Sequence, residues 1–306
     1  MLDIFFYEKR RGSLIRSSAN LSFEIWRRGP SVFCSKISFE PKKLYFCLLS
    51  VCHFFYHPLS HNFMHKELDG WHSPRLNKHM EIASYGHYGF SLLMIPTAAA
   101  DYLEYERFQL IQAIEKPISE GKVKVFSINS INTESWLNRD MNPRDKAIRH
   151  QQFNEYVFNE VIPYIRAKTS ADTPIITCGA SFGALHAMNM FLKRPDLIQG
   201  TIAMSGCYDL SAYTNDYYDE DVFFNSPEHY IPGLNVDWFI SKINAAKKIL
   251  ISAGSGNWEK PEASRRFSAM LTAKGIHHEL DIWGHDMPHD WDTWRKMLPY
   301  FLETKF

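Results

Sequence analysis

One stretch of the sequence, PIITCGASFGALHAMNMFLK at residues 174–193, indicates the fold most directly. Its apolar start is typical of a buried strand, and a helix is expected to begin at Phe182. Between them GASFG, residues 179–183, fits the pattern G-x-S-x-G, in which a serine stands on a sharp turn from strand to helix. The glycines beside Ser181 leave room for the two elements to approach closely. The stretch therefore predicts a reactive serine at the carboxyl edge of a sheet, facing the free N–H groups of a helix N-terminus.

Strands and helices alternate on both sides of this stretch. Apolar runs predict further strands at 89–96, 122–128, 200–206, 247–254 and 277–284. Helices are predicted over 101–118, about 144–168, about 260–274 and the last residues of the chain. Such alternation is typical of an α/β fold with a mostly parallel central sheet and helices on both faces.

Composition argues against several classes of protein. With 306 residues, 45% of them hydrophobic, the chain can bury a sizeable core in one large domain. Lysine plus arginine and aspartate plus glutamate are equal at 34 each, so no overall basic field is present to gather nucleic acid. The longest apolar run, at 44–56, contains His53 and is shorter than the roughly 18–20 residues of a membrane helix, so no membrane span is expected. Nothing in the sequence specifies an oligomeric state.

The charge pattern predicts a boundary near Met64. Residues 1–63 hold nine lysines and arginines against four acidic residues, whereas residues 64–306 hold 25 against 30. Because the first part has no sustained hydrophobic period, we expect an irregular or disordered N-terminal extension over 1–63 and the α/β domain over 64–306. Three interpretations of the extension stay open: a signal or membrane-surface segment, an irregular arm packed on the domain, and a translated upstream region before a natural start at Met64.

Metal and disulfide chemistry are not expected. His53, His57, His61 and His65 recur every four residues, which would place imidazoles on one face of a helix. Pro58 would interrupt that helix and no carboxylate or cysteine completes a ligand set, so no metal site is predicted. The five cysteines form no disulfide pattern, which favours a reducing, cytoplasmic location in a bacterium. Secretion through an N-terminal signal is the alternative.

A nucleophilic serine needs two partners. Its hydroxyl is a weak nucleophile at neutral pH, so a base has to lie within hydrogen-bond reach and a carboxylate has to orient that base. For a serine on a strand-to-helix turn, the expected chain order is serine, acid, histidine. The C-terminal segment DIWGHDMPHDWDTW, residues 281–294, offers His285 and His289 as the base.

From about residue 64 to its end, the chain resembles the putative-esterase branch of the α/β-hydrolases. That family includes esterase D, feruloyl esterases, siderophore esterases and mycolyltransferases. The segments FSINSINTESW at 126–136 and SGCYDLSAY at 205–213 are similar to those of a little-described bacterial subgroup. The resemblance implies an α/β-hydrolase fold and a serine esterase, with Ser181 as nucleophile and no cofactor.

The resemblance also implies the base. In the family the catalytic histidine often lies in a G-H-D segment and is followed five residues later by a tryptophan. His289 with Asp290 and Trp294 reproduces that spacing, whereas His285 has the preceding glycine but not the tryptophan. We therefore expect His289 to be the base and His285 to support the loop.

For the acid, the resemblance points to the segment SAGSGNWEKPE, residues 252–262. Glu259 matches best, while Asn257 stands where some relatives carry aspartate. A glutamate that only starts a helix is the alternative interpretation of Glu259. Asp281 and Asp290 are the other candidate acids.

The oxyanion and substrate sites are expected close to the serine. Phe182 follows the nucleophile directly and supplies one N–H by geometry, and the resemblance draws the second from loop 97–100, where we predict Ala98. Trp136 and Tyr208 are predicted to line the substrate pocket, although packing under loops is the alternative for both. We call the turn at Ser181 the elbow and the helix predicted to begin at Phe182 the elbow helix. His186, on the elbow helix, is interpreted as a packing histidine.

These residues predict a serine carboxylic-ester hydrolase that acts through an acyl-enzyme on a small or medium acyl ester. The expected partner is thus a small-molecule ester, and no metal or organic cofactor is required. Two alternatives stay open. One is a non-catalytic binding protein on the same scaffold, because fold alone does not establish function. The other is an acyltransferase that uses the same three residues.

Overall fold

Within residues 64–306, the part of the chain that the structure describes, the computed structural model contains one mixed sheet of eight strands. The strands are β1 (Lys66–Ser73), β2 (Lys78–Tyr85), β3 (Phe90–Ile95), β4 (Val123–Ile128), β5 (Ile175–Ala180), β6 (Gly200–Met204), β7 (Lys248–Ala253) and β8 (Glu279–Ile282). Their order across the sheet is β1-β2-β4-β3-β5-β6-β7-β8. Strands β3 to β8 are parallel, whereas β1 and β2 pair antiparallel with each other and β2 pairs antiparallel with β4.

The expected N-terminal extension lies outside the described residues, as do three of the four spaced histidines. Over residues 64–306, no helix is both long enough and apolar enough to cross a membrane. In the same range, no group of three or more histidine, cysteine or acidic side chains is arranged to hold a metal ion.

Twelve α-helical segments accompany the sheet in the described part of the chain. They are α1 (Glu104–Arg107), α2 (Leu110–Ala113), α3 (Glu115–Ser119), α4 (Pro143–Tyr156), α5 (Ile162–Lys168), α6 (Phe182–Lys193), α7 (Ser211–Thr214), α8 (Glu220–Phe223), α9 (Pro227–Tyr230), α10 (Asp237–Asn244), α11 (Pro261–Ala273) and α12 (Trp291–Thr304). A π-helical turn, Val157–Val161, joins α4 to α5, and 3₁₀ turns lie at Asn132–Glu134 and Ile231–Gly233.

Both faces of the sheet are buried, and β3 shows this most clearly. Side chains alternate across a strand, so Leu92 and Met94 face one core while Leu93 and Ile95 face the other. The first core also contains residues of α1–α3 and α12, and the second contains residues of α4–α6 and α11. A strand that is buried on both faces reads as a continuous apolar run, which is why the sequence identified the central strands.

Two predicted helices differ from their expected form. The helix expected over 101–118 is three short segments, and Gln109, which adopts a left-handed conformation with φ of 62°, separates the first segment from the second. The long helix expected over 144–168 widens into the π-helical turn directly before Pro163. Proline lacks an N–H and crowds the preceding turn, and a widened turn relieves that conflict.

The antiparallel hairpin β1–β2 was not predicted from the sequence. Its register pairs Lys66 with Tyr85 and Ser73 with Lys78. Strand β1, KELDGWHS, lies at the edge of the sheet, and most of its residues are only partly buried or exposed. An edge strand with so few apolar side chains gives no hydrophobic run to detect.

Candidate active site

Ser181 stands at the junction of β5 and α6. Its backbone has φ of 56° and ψ of −121°, a region that non-glycine residues rarely occupy. Strand β5 ends at Ala180 and α6 begins at Phe182, so the chain turns sharply within one residue. Strain of this kind at a polar residue marks a functional position. The predicted elbow is therefore the observed local structure.

The two glycines of the pattern are required by close backbone contacts. A Cβ atom on Gly179 would lie 2.2 Å from the carbonyl oxygen of Gly183. One on Gly183 would lie 2.3 Å from the carbonyl oxygen of Ile95 and 2.6 Å from that of Pro96. The start of α6 thus contacts the end of β3, and the loop after β3 begins next to the serine.

His289 lies within hydrogen-bond reach of the serine. The His289 Nε2 atom is 2.9 Å from Ser181 Oγ. His289 belongs to the loop between β8 and α12, and its backbone N–H donates to the carbonyl oxygen of Asn257 at 2.9 Å. That bond ties the loop after β8 to the loop after β7, and both loops lie at the carboxyl edge of the sheet.

Glu259 lies on the other side of the imidazole. Its Oε2 atom is 3.3 Å from His289 Nδ1. Its Oε1 atom accepts hydrogen bonds from Ser205 Oγ at 2.5 Å and from the Gly254 N–H at 3.3 Å. The side chain is only 1% exposed, so water has little access to it, and its charge interacts strongly with the neighbouring imidazole.

The surroundings of Glu259 keep it ionised. Burial alone would raise its pKa, but hydrogen bonds from His289 and Ser205, the charge of His289 and the Gly254 N–H together outweigh burial. The pKa of Glu259 is accordingly lowered from its ordinary value. A carboxylate that stays ionised can hold the imidazole in one tautomer and stabilise its protonated form.

Trp294 contributes to the same network. Its Nε1–H donates to Ser205 Oγ at 3.0 Å, and its ring lies edge-on to the His289 ring at 5.3 Å between centroids. The tryptophan that distinguished His289 from His285 in the sequence therefore contacts both the histidine and the serine that supports Glu259. Trp294 follows His289 by five residues and lies near the start of α12, where the two rings meet.

The other candidate base and acids lie elsewhere. His285 is exposed, and its Nδ1 atom is 3.0 Å from the carbonyl oxygen of Ser255. The Asp290 side chain accepts a hydrogen bond from the Trp291 N–H at the start of α12. Asp281 lies within β8. Among the described residues, none of these side chains is hydrogen-bonded to Ser181 or His289, whereas Glu259 is bonded to His289.

Two backbone N–H groups near the serine are the sequence-predicted candidates for an oxyanion site. Phe182 is the first residue of α6, where the N–H has no partner within the helix. In the loop after β3, the Thr97 N–H donates to the Glu104 carboxylate at 2.8 Å, whereas the Ala98 N–H donates to no acceptor in the described chain. The contact of Gly183 with Pro96 brings this loop next to the start of α6.

A cavity of about 210 Å³ opens at Ser181. It is lined by Ser181, Phe182, Leu185, Ser205, Gly206, Cys207, Tyr213, Trp258, Glu259, Lys260 and His289. The apolar walls come from the elbow helix and from the segment after β6. Trp258 at the mouth is 81% exposed and has φ of 67°. The cavity therefore leads from solvent to the serine hydroxyl between an apolar side and a polar side.

The prediction that Trp136 and Tyr208 line this pocket is wrong. Trp136 is 1% exposed and lies 5.2 Å from the His150 ring, and Tyr208 is fully buried and stacks on Phe267 at 4.1 Å. Both rings lie in the core because large aromatic side chains gain most from burial. Tyr208 does support the lining indirectly, since its hydroxyl lies against Gly206.

Sequence reasoning missed Leu185, Tyr213, Cys207 and Ser205. Leu185 follows Ser181 by four residues on the elbow helix, and this spacing was the available signal for the wall of the cavity. Ser205 directly follows β6 and has φ of 55°, and β6 is the neighbour of β5 in the sheet. Residues at the carboxyl ends of adjacent parallel strands meet at one edge, which was the available signal for Ser205.

Comparison with known proteins agrees with this description. A family model described as "Putative esterase" matches residues 110–303. A ferulic acid esterase structure is similar with a TM-score of 0.61, at 16% identity over 79% of this chain and 99% of that one. An S-formylglutathione hydrolase from Staphylococcus aureus gives 0.60, at 14% identity over 78% and 98%. The ferulic acid esterase of the anaerobic fungus Anaeromyces mucronatus gives 0.59, at 14% identity over 79% and 90%. No curated protein sequence matches the chain.

Proposed function

Since this chain belongs to the family described as "Putative esterase" and is a serine ester hydrolase of the α/β-hydrolase fold, we propose that Ser181, His289 and Glu259 carry the reaction. The observation that carries the proposal is the continuous hydrogen-bonded series from Ser181 Oγ through His289 to the Glu259 carboxylate. The elements that present these groups meet at one sheet edge beside an open cavity.

The reaction has two halves. In the first, Ser181 Oγ attacks the ester carbonyl carbon while His289 Nε2 takes the hydroxyl proton. The tetrahedral intermediate collapses, the bond to the alcohol oxygen breaks, and His289 gives its proton to the departing alcohol. In the second half, His289 takes a proton from water as the water oxygen attacks the acyl-enzyme. The acid leaves and Ser181 regains its proton.

Glu259 and the two N–H groups stabilise charge in this scheme. Glu259 orients His289 through Nδ1 and stabilises the imidazolium that forms in each half. The N–H groups of Phe182 and Ala98 donate to the oxyanion of the tetrahedral intermediate. Loss of one such donor typically costs about 10² to 10³ in turnover.

The cavity favours a small or medium acyl group. Its volume of about 210 Å³ is below the roughly 300–1,000 Å³ that is typical of pockets for drug-sized ligands. Phe182, Leu185 and Tyr213 provide an apolar wall for the acyl chain, and Trp258 and Lys260 stand on the other side. We therefore place the acyl chain against the elbow helix and the alcohol portion towards the mouth.

The test is hydrolysis of p-nitrophenyl acetate, butyrate and dodecanoate by the full chain and three variants. We expect Ser181→Ala and His289→Ala to lower kcat by about 10⁴ to 10⁶, because removal of any one residue disables the unit. His285→Ala is the matched control and should keep wild-type turnover. The wild type should prefer the two short esters. Equal slow rates in wild type and all folded variants would contradict the proposal.

The alternatives are not favoured. A binding protein on this scaffold has no need of a base 2.9 Å from the serine and a buried, ionised carboxylate behind it. An acyltransferase would use the same residues with an alcohol in place of water. Product analysis in the presence of added alcohol distinguishes the two: free acid supports hydrolysis, and a new ester supports transfer.

We place the protein in the cytoplasm on the chemistry of its thiols. Cys178, buried in β5, and Cys207, exposed at the cavity, are both free thiols in the described part of the chain. Free thiols are typical of reducing compartments. Alkylation of Cys207 in intact cells by a membrane-permeant reagent, but not by an impermeant one, would support this location. Equal alkylation by both reagents would contradict it.

A further inference from the structure

One buried side chain, Asn132, connects the elbow helix to the loop after β3. Asn132 follows β4 at the same sheet edge and is 2% exposed. Its Oδ1 atom lies 2.9 Å from His186 Nε2 on α6. Its Nδ2 atom donates to the carbonyl oxygen of Ala98 at 2.7 Å. The amide thus bridges the helix that begins with Phe182 and the loop that holds Ala98.

The direction of both hydrogen bonds is fixed by chemistry. The Ala98 carbonyl oxygen can only accept, so the Asn132 amide nitrogen has to face it. Asn132 Oδ1 then faces His186 and can also only accept, so the proton of the neutral imidazole lies on Nε2. Burial lowers the pKa of His186 to about 3, which keeps the ring neutral at any ordinary assay pH. The pair therefore acts as one fixed donor–acceptor chain.

The loop is held on both sides of the Ala98 N–H. The Ala98 carbonyl oxygen accepts a second hydrogen bond from Ser130 Oγ at 2.9 Å, and Ser130 Oγ accepts from the Asn132 N–H at 3.0 Å. Before Ala98, the Glu104 carboxylate accepts from the Thr97 N–H at 2.8 Å and from Thr97 Oγ1 at 2.6 Å. The peptide units on either side of the one that carries the Ala98 N–H are thus both anchored by hydrogen bonds.

His186 is itself held in place. Its ring stacks on His150 at 4.5 Å with an interplanar angle of 23°, and it lies 4.9 Å from the Phe182 ring. At 2% exposure, the ring is enclosed by these neighbours. Asn132 is therefore bonded to a fixed point on the helix that supplies the first oxyanion donor.

We propose that Asn132 and His186 are positioning residues for the oxyanion site. Their hydrogen bond holds loop 97–100 so that the Ala98 N–H and the Phe182 N–H point at the same oxygen. This inference rests on the proposed function, because only a reaction with a tetrahedral oxyanion depends on that alignment. An interaction that matters mainly in the transition state changes kcat rather than KM.

The test uses Asn132→Asp in the full chain. The variant keeps the shape of the side chain but replaces the Nδ2 donor with an oxygen that the Ala98 carbonyl repels. We expect kcat for p-nitrophenyl acetate to fall about 10- to 100-fold, a loss no larger than that caused by removal of a whole oxyanion donor. KM should change by less than about threefold. Affinity for a trifluoromethyl ketone, which forms a tetrahedral adduct with the active serine, should fall by the same factor as kcat.

A second pair of variants tests the other partner. His186→Leu removes the N–H and should lower kcat like Asn132→Asp. His186→Gln keeps an N–H near the position of Nε2 and should recover most of that loss. This rescue depends on the hydrogen bond and would not follow from packing alone. Equal loss in both variants would contradict the proposal.

Asn154→Asp is the matched control. Asn154 is fully buried, and its Nδ2 atom donates to Asn225 Oδ1 at 2.8 Å, away from the residues that line the cavity. The Asn154→Asp substitution should lower the melting temperature without lowering kcat of the folded enzyme. Wild-type kcat in Asn132→Asp, or an equal kcat loss in Asn154→Asp, would overturn the inference. If Asn132→Asp does not fold, the two His186 variants decide it. A wild-type chain without hydrolysis would overturn the proposed function, and this inference with it.

Discussion

At the scale of single residues, Ser205 supports Glu259, a role that no motif in the sequence indicates. Its hydroxyl donates to Glu259 and accepts from Trp294, so it joins the segments after β6, β7 and β8. A carboxylate that is 1% exposed loses its hydration and needs donors in return. A hydrogen bond to a charged group contributes about 1.5–3 kcal/mol. Ser205 is therefore expected to hold the charge and the orientation of Glu259.

Replacement of Ser205 by alanine tests this role. We expect Ser205→Ala to lower kcat about 10-fold or more, because Glu259 loses its shortest hydrogen bond and orients His289 less firmly. Ser255→Ala is the control, since Ser255 Oγ donates to the Trp283 carbonyl oxygen at 2.8 Å and does not contact Glu259. Steady-state kinetics on p-nitrophenyl acetate measure the effect. Equal kcat values in the two variants would contradict the role of Ser205.

The sequence indicated the three side chains of the proposed triad but not the residues that support them. Ser181 is recognisable because its turn needs glycines, and His289 because its tryptophan lies at a fixed spacing. Ser205 has no motif, since its partners arise only when separate strands meet at one sheet edge. Trp136 and Tyr208 were misplaced because position in a loop after a strand does not say which way a ring points. Their roles were assigned from proximity in sequence, whereas burial decided their positions.

At the scale of secondary-structure elements, the contact between α6 and the end of β3 organises the site. It brings the serine, the first helical N–H and the loop after β3 together. The contact is possible only because residue 183 has no side chain: a Cβ there would meet two backbone carbonyl oxygens within 3 Å. Backbone atoms of a buried strand cannot move aside cheaply.

Gly183→Ala tests the importance of this contact. We expect the free energy of unfolding to fall by about 1–3 kcal/mol or more, because the added methyl group forces the helix away from the strand. Gly233→Ala is the matched control, since its Cβ would meet no atom within 4 Å. Urea denaturation of both variants gives the difference. Equal stability would show that the elbow tolerates separation of helix and strand, contrary to the account.

Strands were predictable from the sequence where both of their faces are buried, and were missed where one strand is largely exposed. Strands β3 to β7 are apolar because both faces of the sheet are covered, and their predicted ranges contain the observed ones. Hairpin β1–β2 was missed because its outer strand is largely polar and lies at the sheet edge. The interruptions at Gln109 and before Pro163 depend on local backbone geometry that hydrophobic periodicity does not register.

At the scale of the whole molecule, the α/β-hydrolase fold and the serine esterase activity expected from the sequence are confirmed by the family match together with the similar structures. The boundary near Met64 stays a prediction, because residues 1–63 lie outside the described part of the chain. The same fold that builds the site also buries two neutral histidines, His150 and His186, against each other beneath it. This burial has a consequence for stability.

The buried pair should make the protein sensitive to acid. Burial lowers the pKa of His150 well below its ordinary value, with His186 and Lys193 adding to the effect, and burial lowers that of His186 to about 3. Below about pH 6.5 the unfolded chain therefore binds protons that the folded chain excludes. Above that pH, the neutral histidines do not lower the free energy of unfolding. As the pH drops towards 3, the free energy of unfolding falls by up to about 1.4 kcal/mol per pH unit for each histidine.

Urea denaturation at pH 7.5, 6.0 and 5.0 measures this slope. His150→Phe, which places an apolar ring between Trp136 and Phe153, should reduce the slope between pH 6.0 and 5.0. Exposed His285 provides the control, and His285→Phe should leave the slope unchanged. An unchanged slope in His150→Phe would contradict the assignment of acid sensitivity to the buried pair.

The proposed reaction requires that His289 activates Ser181. The most direct measurement is labelling of the full chain with a fluorophosphonate, followed by mass spectrometry of the tryptic peptide 169–193, which contains Ser181. We expect one adduct on Ser181 in the wild type and in His285→Ala, labelling slowed by orders of magnitude in His289→Ala, and none in Ser181→Ala. Absence of an adduct on Ser181 in the folded wild type, or equal labelling rates in wild type and His289→Ala, would contradict the account.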